Sequence, residues 1–118
     1  MAIIGIGTDI VSLERIKEVK RREAFAAKVL SSDELELYES FIADIRKIEF
    51  LAGRWAVKEA IYKAVPAFCR GKAYNAFTIL NDAGGKPYLA APTFEDNLQL
   101  SITHERKYAV AFVVVEAK

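Results

Sequence analysis

The sequence is poor in residues that bind soft metals or form covalent links. It has one cysteine, Cys69, and one histidine, His104. A single cysteine cannot form a disulfide within the chain, which fits a reducing cytoplasm. We interpret Cys69 as a small core residue, because the neighbouring Arg70 and Lys72 provide no base that would make the thiol a nucleophile.

Long apolar runs and a strong net charge are also missing. No segment approaches the roughly twenty apolar residues that cross a membrane. The apolar N-terminal run follows no basic stretch and is interrupted by Asp9, unlike a signal peptide. The net charge of +1 indicates no polymeric anion as a partner. We therefore expect a soluble, cytoplasmic protein that binds neither membranes nor nucleic acids.

The chain length of 118 residues predicts one domain, 1–118, that buries a core without disulfide or metal support. Hydrophobic residues make up 53% of the chain, slightly more than the usual share of about 45–50%. Part of this excess would cover an interface between subunits, because a small domain has little interior in which to bury it.

Charges of one sign are grouped along the chain. Residues 14–28 contain six bases and three acids, whereas residues 33–49 contain six acids and two bases. A basic surface beside an acidic one suits an acidic protein partner better than a nucleic acid. Two solvated helix faces explain the same pattern equally well.

Apolar periodicity predicts three helices in the first half of the chain. Ser12 is placed to cap a basic first helix. Ser31 and Glu34 have the spacing of a capping box at the start of the second helix. The third helix runs from about 44 to 65, is apolar on two sides, and ends before Pro66.

Strand patterns occur at the N-terminus and throughout the second half of the chain. They lie at residues 3–11, 77–80, 87–90, 98–104 and 108–116. The last of them is almost continuously apolar, which is typical of a central strand. One strand, three helices and four further strands predict a single α+β domain with a C-terminal antiparallel sheet.

Three polar residues interrupt otherwise apolar elements: Asp9, Glu59 and His104. Each has a structural explanation, respectively as a helix cap, as an ion pair with Lys63 one helical turn away, and as a turn residue. Together, two carboxylates without a cysteine partner are hard oxygen ligands that suit magnesium and phosphate rather than zinc. Cations for phosphate oxygens would come from Lys63, Lys58, Arg54 and His104.

Four motifs carry a resemblance to a known family. They are GIGTDIVSLERI (5–16), FLAGRWAVKEAIYKA (50–64), GGKPYL (84–89) and LSITHERKYAVA (100–111). In this order and spacing they resemble holo-acyl-carrier-protein synthase, the small bacterial type of 4′-phosphopantetheinyl transferase. The match spans essentially the whole chain. One segment departs from the family, because VPAFCRGKAYNA (65–76) replaces a glycine-rich loop.

The resemblance implies that the phosphopantetheine arm of coenzyme A is transferred to a serine of apo-acyl carrier protein, with release of adenosine 3′,5′-bisphosphate. This reaction belongs to lipid biosynthesis, with a carrier protein of fatty-acid or polyketide synthesis. Asp9 and Glu59 would bind Mg²⁺, and Glu59 would take the serine proton directly or through a metal-bound water. Lys63 would steady the leaving phosphate. The implied coenzyme A contacts are Arg46, Arg54, Lys63, Lys86, Pro87 and His104.

The resemblance also implies partners for the protein chain. An acidic acyl carrier protein would dock on the basic first helix, and the family forms trimers with active sites between neighbouring subunits. A homotrimer would account for part of the apolar excess. The implied docking residues are Arg15, Arg21, Arg22, Phe25 and Lys28.

Two other functions fit the same residues. A magnesium-dependent phosphohydrolase would use the same carboxylates, Asp9 and Glu59. A non-catalytic trimeric module would bind acidic proteins through residues 15–28 and would not need either carboxylate. Transfer of the phosphopantetheine mass to a carrier protein separates the transferase from both alternatives.

Overall fold

The computed structural model describes residues 2–118, and its elements follow the predicted order. The strands are β1 (Ile3–Ser12), β2 (Thr78–Asn81), β3 (Pro87–Ala91), β4 (Asn97–His104) and β5 (Tyr108–Glu116). The α-helices are α1 (Leu13–Lys17), α2 (Arg22–Val29), α3 (Ser32–Ser40), α4 (Asp44–Ala64) and α5 (Pro66–Cys69). A 3₁₀ turn follows at Tyr74–Ala76. Within this part of the chain, no helix combines the length and apolarity needed to span a membrane.

The strands form two antiparallel sheets. β1, β5 and β4 make a three-stranded sheet with β5 in the middle. β2 and β3 pair separately. The predicted α+β fold is confirmed, as is the central position of the strand with the longest apolar run. The four C-terminal strands do not form one sheet. β5 pairs with β4 on one edge and with β1 on the other, whereas β2 and β3 form the second sheet.

Close contact between β1 and α4 fixes the position of the N-terminal strand. A Cβ atom on Gly7 would lie 1.9 Å from the carbonyl oxygen of Ala60, and one on Gly5 would lie 2.3 Å from that of Ala64. Only glycine allows the strand backbone to approach the helix this closely. Two strand residues therefore correspond to one helical turn, and Asp9 lies on the same face of β1 as the two glycines.

The predicted start of the second helix is confirmed, and the third helix matches its predicted range to within one residue. Ser31 caps α3, and its hydroxyl and the carboxylate of Glu34 form the reciprocal hydrogen bonds of a capping box. α4 ends at Ala64, before Pro66. Pro66 then begins the short helix α5, where its fixed φ suits the first helical position.

The prediction of one basic first helix is wrong, since the segment forms α1 and α2 with a break between them. The buried residues of α1 are Leu13 and Ile16, and those of α2 are Ala26 and Val29. On one straight helix the two pairs would point about 140° apart at 100° per residue. The break allows both pairs to face the same core.

Candidate active site

Asp9 and Lys63 meet where β1 crosses α4. Nζ of Lys63 donates hydrogen bonds to Oδ1 of Asp9 at 3.1 Å and to the carbonyl oxygen of Thr8 at 3.0 Å. The side chain of Lys63 is 56% exposed and that of Asp9 is 21% exposed. Lys63 on α4 therefore pairs with Asp9 on β1. It does not form the ion pair with Glu59, one helical turn away, that was the structural alternative in the sequence.

Glu59 lies one helical turn before Lys63 and is held by an aromatic hydroxyl. The hydroxyl of Tyr74 donates a hydrogen bond to Oε1 of Glu59 at 2.9 Å. Burial, together with this bond and the charge of Glu59, raises the pKa of Tyr74 to about 12. The Tyr74 hydroxyl therefore stays protonated at neutral pH and acts as a hydrogen-bond donor to Glu59. This contact was not predictable from the sequence, because Tyr74 lies in the irregular segment after α5, where periodicity is uninformative.

The two carboxylates have a donor set that fits magnesium. The described hydrogen bonds occupy Oδ1 of Asp9 and Oε1 of Glu59. Within residues 2–118 no hydrogen bond reaches Oδ2 of Asp9 or Oε2 of Glu59, so each acid keeps one oxygen for a cation. No group of three or more His, Cys, Asp or Glu side chains suited to a metal occurs in the same residues. A site with two carboxylates suits Mg²⁺, which usually keeps several waters and substrate phosphates as its other ligands.

A cleft of about 530 Å³ lies beside the N-terminal half of α4 and contains several of the predicted coenzyme A contacts. Glu49 lies between two basic side chains of the cleft: its carboxylate is 3.7 Å from Nε of Arg46 and 3.6 Å from Nδ1 of His104. Pro87 and Arg54 also line the cleft. Glu49 was not predicted as a site residue, although its position three residues after Arg46 places the two on one helix face.

The side chain of Arg54 forms more hydrogen bonds within the protein than the other basic side chains that line the cleft. Its guanidinium donates to the carbonyl oxygen of Ile79 through Nε at 3.2 Å and through Nη2 at 2.9 Å. Nη2 also donates to Oδ1 of Asn81 at 3.2 Å, and the cation lies 4.4 Å from the ring centroid of Phe50. Arg54 therefore ties α4 to β2 while lining the cleft. Lys86, just outside the lining, donates to Oε1 of Gln99 at 3.0 Å.

The prediction that Lys58 supplies charge to phosphate oxygens is wrong. Its side chain is fully buried, and Nζ donates to Oε1 of Glu34 at 2.5 Å and to the carbonyl oxygen of Val29 at 2.7 Å. Oε2 of Glu34 accepts a hydrogen bond from the backbone N–H of Ile79 at 2.8 Å. Burial lowers the pKa of Lys58, and the charge of Glu34 opposes this shift. The pair joins α2, α3, α4 and β2, and it has no access to a substrate.

The predicted docking residues lie on α1, on α2 and at the junction before α2. The guanidinium of Arg15 lies 5.7 Å from the ring centroid of Trp55, and the ring of Phe25 meets that of Trp55 edge-on with centroids 5.0 Å apart. Trp55, which is partly buried against the core, thus connects both helices to α4. Arg22 forms an ion pair with Asp44, which leaves less of its charge for a partner. Arg21 and Lys28 are exposed.

Cys69 has the environment expected of a core residue. The side chain is buried, and burial raises the pKa of its thiol to about 11 against a smaller lowering by Lys72. The thiol is therefore protonated at neutral pH and is a poor nucleophile. This confirms the interpretation made from the sequence.

A family model described as the 4′-phosphopantetheinyl transferase superfamily matches residues 5–113, a range that includes both carboxylates and His104. The chain belongs to this superfamily. The transferase fold extends over the whole molecule, as the comparison with a solved structure shows. A holo-(acyl-carrier-protein) synthase from Bacillus anthracis in complex with CoA (3′,5′-ADP) has a TM-score of 0.84 and 37% identity, with 98% of each chain covered.

Two further transferase relatives agree with this assignment. The holo-[acyl-carrier-protein] synthase of Lactococcus lactis subsp. cremoris is 47% identical over 97% of this chain and 98% of its own. The solved structure of the Helicobacter pylori holo-[acyl-carrier-protein] synthase in complex with coenzyme A has a TM-score of 0.77 and 32% identity, and covers 94% of this chain and 99% of that one. The family resemblance inferred from the four motifs is therefore confirmed.

Proposed function

We propose that this protein transfers the 4′-phosphopantetheine group of coenzyme A to a serine of apo-acyl carrier protein, with Mg²⁺ as cofactor. The observation that carries the proposal is the contact of Asp9 with Lys63 beside Glu59, within a chain of the phosphopantetheinyl transferase superfamily. Carboxylates for a divalent cation and an ammonium group for a phosphate are the groups that this reaction needs.

In the proposed reaction, the serine oxygen attacks the β-phosphorus of coenzyme A. A new P–O bond forms to the carrier protein, the bond between the β-phosphorus and the bridging oxygen breaks, and adenosine 3′,5′-bisphosphate leaves. Glu59 would accept the serine proton, directly or through a water, and Lys63 would stabilise the charge on the leaving phosphate. Magnesium held by Asp9 and Glu59 would neutralise charge on the diphosphate.

The cleft beside α4 is the proposed site for the nucleotide part of coenzyme A. Arg46 and Arg54 offer positive charge to its phosphates, His104 offers a hydrogen-bond donor, and Pro87 offers an apolar wall. The solved relative from Bacillus anthracis is a complex with CoA (3′,5′-ADP), and that from Helicobacter pylori is a complex with coenzyme A, which supports the same ligand class for this chain.

We propose that the protein works as a homotrimer with active sites between subunits. The sheet face turned away from α4 presents Ile6, Ile10 and Phe112 with exposures of 63%, 60% and 49%. Cross-strand pairing places Phe112 opposite Thr8, so these residues share one face. A second copy of this chain suits such a patch, because monomers rarely leave contiguous apolar surface in water. Sedimentation of the purified protein at the mass of three chains tests this assembly.

The activity is tested by incubating the protein with coenzyme A and an apo-carrier protein, with and without Mg²⁺. We expect mass spectrometry to show the phosphopantetheine mass on the carrier protein only when Mg²⁺ is present. Consumption of coenzyme A without this mass would favour the phosphohydrolase. Binding of the carrier protein without any chemistry would favour the binding module. The proposed site of action is the cytoplasm.

A further inference from the structure

The segment that departs from the family, residues 65–76, folds back onto the candidate metal site. It forms α5 and the 3₁₀ turn, and Tyr74 at the start of that turn reaches Glu59 on α4. The hydroxyl of Tyr74 donates a hydrogen bond to Oε1 of Glu59 at 2.9 Å, so the contact joins two side chains. The resemblance assigns no role to this tyrosine.

Several contacts fix the position of the Tyr74 ring. It stacks on the ring of Tyr62, with centroids 5.0 Å apart and planes within 10°. The Tyr62 hydroxyl donates to the carbonyl oxygen of Lys72 at 2.5 Å, which ties the segment to α4. Nδ2 of Asn75 donates to the carbonyl oxygen of Ala27 at 3.3 Å, which ties it to α2. The ring is therefore oriented by packing that does not depend on its hydroxyl group.

We propose that Tyr74 is a positioning residue for the metal: its hydroxyl holds Oε1 of Glu59 and thereby presents Oε2 to the Mg²⁺ shared with Asp9. This inference rests on the proposed function. A carboxylate that ligates a metal is usually oriented by a hydrogen bond to its other oxygen, and loss of such a partner commonly costs 10- to 100-fold in metal affinity or activity.

The chemistry of the donor distinguishes the two carboxylates. Lys63 brings a positive charge to Asp9, whereas Tyr74 donates to Glu59 through a neutral hydroxyl group. A neutral donor orients a carboxylate without cancelling the negative charge that attracts a cation. Glu59 is therefore the acid that keeps most of its charge for the metal.

The test compares the wild type, Tyr74→Phe and Tyr62→Phe. Tyr74→Phe removes the hydroxyl from Glu59 and keeps the stacked ring, while Tyr62→Phe removes the matched hydroxyl that anchors the segment and does not contact Glu59. Mn²⁺ is the probe, and its binding is measured by electron paramagnetic resonance with coenzyme A present and no carrier protein. This readout does not require turnover.

We expect Tyr74→Phe to raise the Mn²⁺ dissociation constant about tenfold and to lower kcat to a similar degree. The KM for coenzyme A should stay within about twofold. Tyr62→Phe removes one anchor of the segment but leaves the Tyr74 hydroxyl and the stacked rings, so it should weaken Mn²⁺ binding much less than Tyr74→Phe. The proposal is overturned if Tyr74→Phe binds Mn²⁺ within about twofold of the wild type, or if Tyr62→Phe weakens binding equally. A wild type that binds no Mn²⁺ overturns the proposed metal site as well, so the two failures are distinct.

Discussion

The two halves of α4 carry functional groups suited to different tasks. The N-terminal half lines the open cleft with Arg46 and Arg54, close to His104 of β4. The C-terminal half carries Glu59 and Lys63, packed against the glycine-rich part of β1. Glu49 and Glu59, which mark the two regions, are ten residues apart, about 15 Å along the helix axis at 1.5 Å per residue.

This difference separates the tasks of binding and chemistry within one helix. The cleft offers cations suited to phosphates, whereas the carboxylates suit a metal and a proton. Neither Asp9 nor Glu59 lines the cleft. The separation supports the proposal that a neighbouring subunit completes each active site, and it predicts that substitutions in the two halves change different kinetic constants.

The largest effect is expected at the carboxylate end, from Asp9→Asn. Asparagine keeps the shape of aspartate but is a poor magnesium ligand, so transfer should fall about a thousandfold, which corresponds to several kcal/mol of lost stabilisation. The loss should appear in kcat, measured by mass spectrometry of the carrier protein. Thermal unfolding should change little, because the ion pair with Lys63 is partly exposed. Near-normal turnover would refute the role of Asp9 as a ligand.

A second experiment contrasts the two lysines of this half of α4. Lys58→Met leaves Glu34 buried without its counterion, and such losses lower the free energy of unfolding by about 3–5 kcal/mol. Lys63→Met should lower it by less than about 1 kcal/mol, yet should abolish most of the transfer. Urea unfolding and the transfer assay on both variants measure the contrast. Equal losses of stability would contradict the assignment of structural and catalytic roles.

At the cleft end, His104→Ala should raise the KM for coenzyme A about tenfold, because hydrogen bonds to charged groups contribute about 1.5–3 kcal/mol. Turnover should stay within about threefold of the wild type. Steady-state kinetics with varied coenzyme A measures both constants, and His104→Gln, which keeps a neutral donor, should lie between wild type and alanine. A fall in kcat with unchanged KM would place His104 at the reacting atoms.

The smallest effect is expected outside α4, at the docking surface. Arg15→Glu should raise the KM for the carrier protein several-fold, and the difference from wild type should shrink as salt is added. Arg106→Glu provides a control with the same change in net charge at an exposed turn. Equal effects of the two substitutions would show that net charge, and not docking at Arg15, controls the encounter.

Local features of the chain were predictable where neighbours in sequence decide them. The strands over 87–91 and 108–116, the capping box at Ser31 and the end of α4 before Pro66 all follow from turn residues, caps and periodicity. The break between α1 and α2 was not predicted, because it depends on where two apolar pairs must face a shared core. Glu34 already had a local role as a capping residue, so nothing in the sequence showed that it is also the buried partner of Lys58.

The sequence by itself determined the order of elements from residue types at fixed spacing, and it determined the family through the resemblance that four motifs carry, with the reaction as what that resemblance implies. The tertiary structure decided which groups are available for that chemistry. Lys58 and Lys63 are five residues apart, about 140° around the helix, and α4 is apolar on two sides. Only the packing of α3 and β1 against it determines that one lysine is buried against Glu34 and the other reaches Asp9.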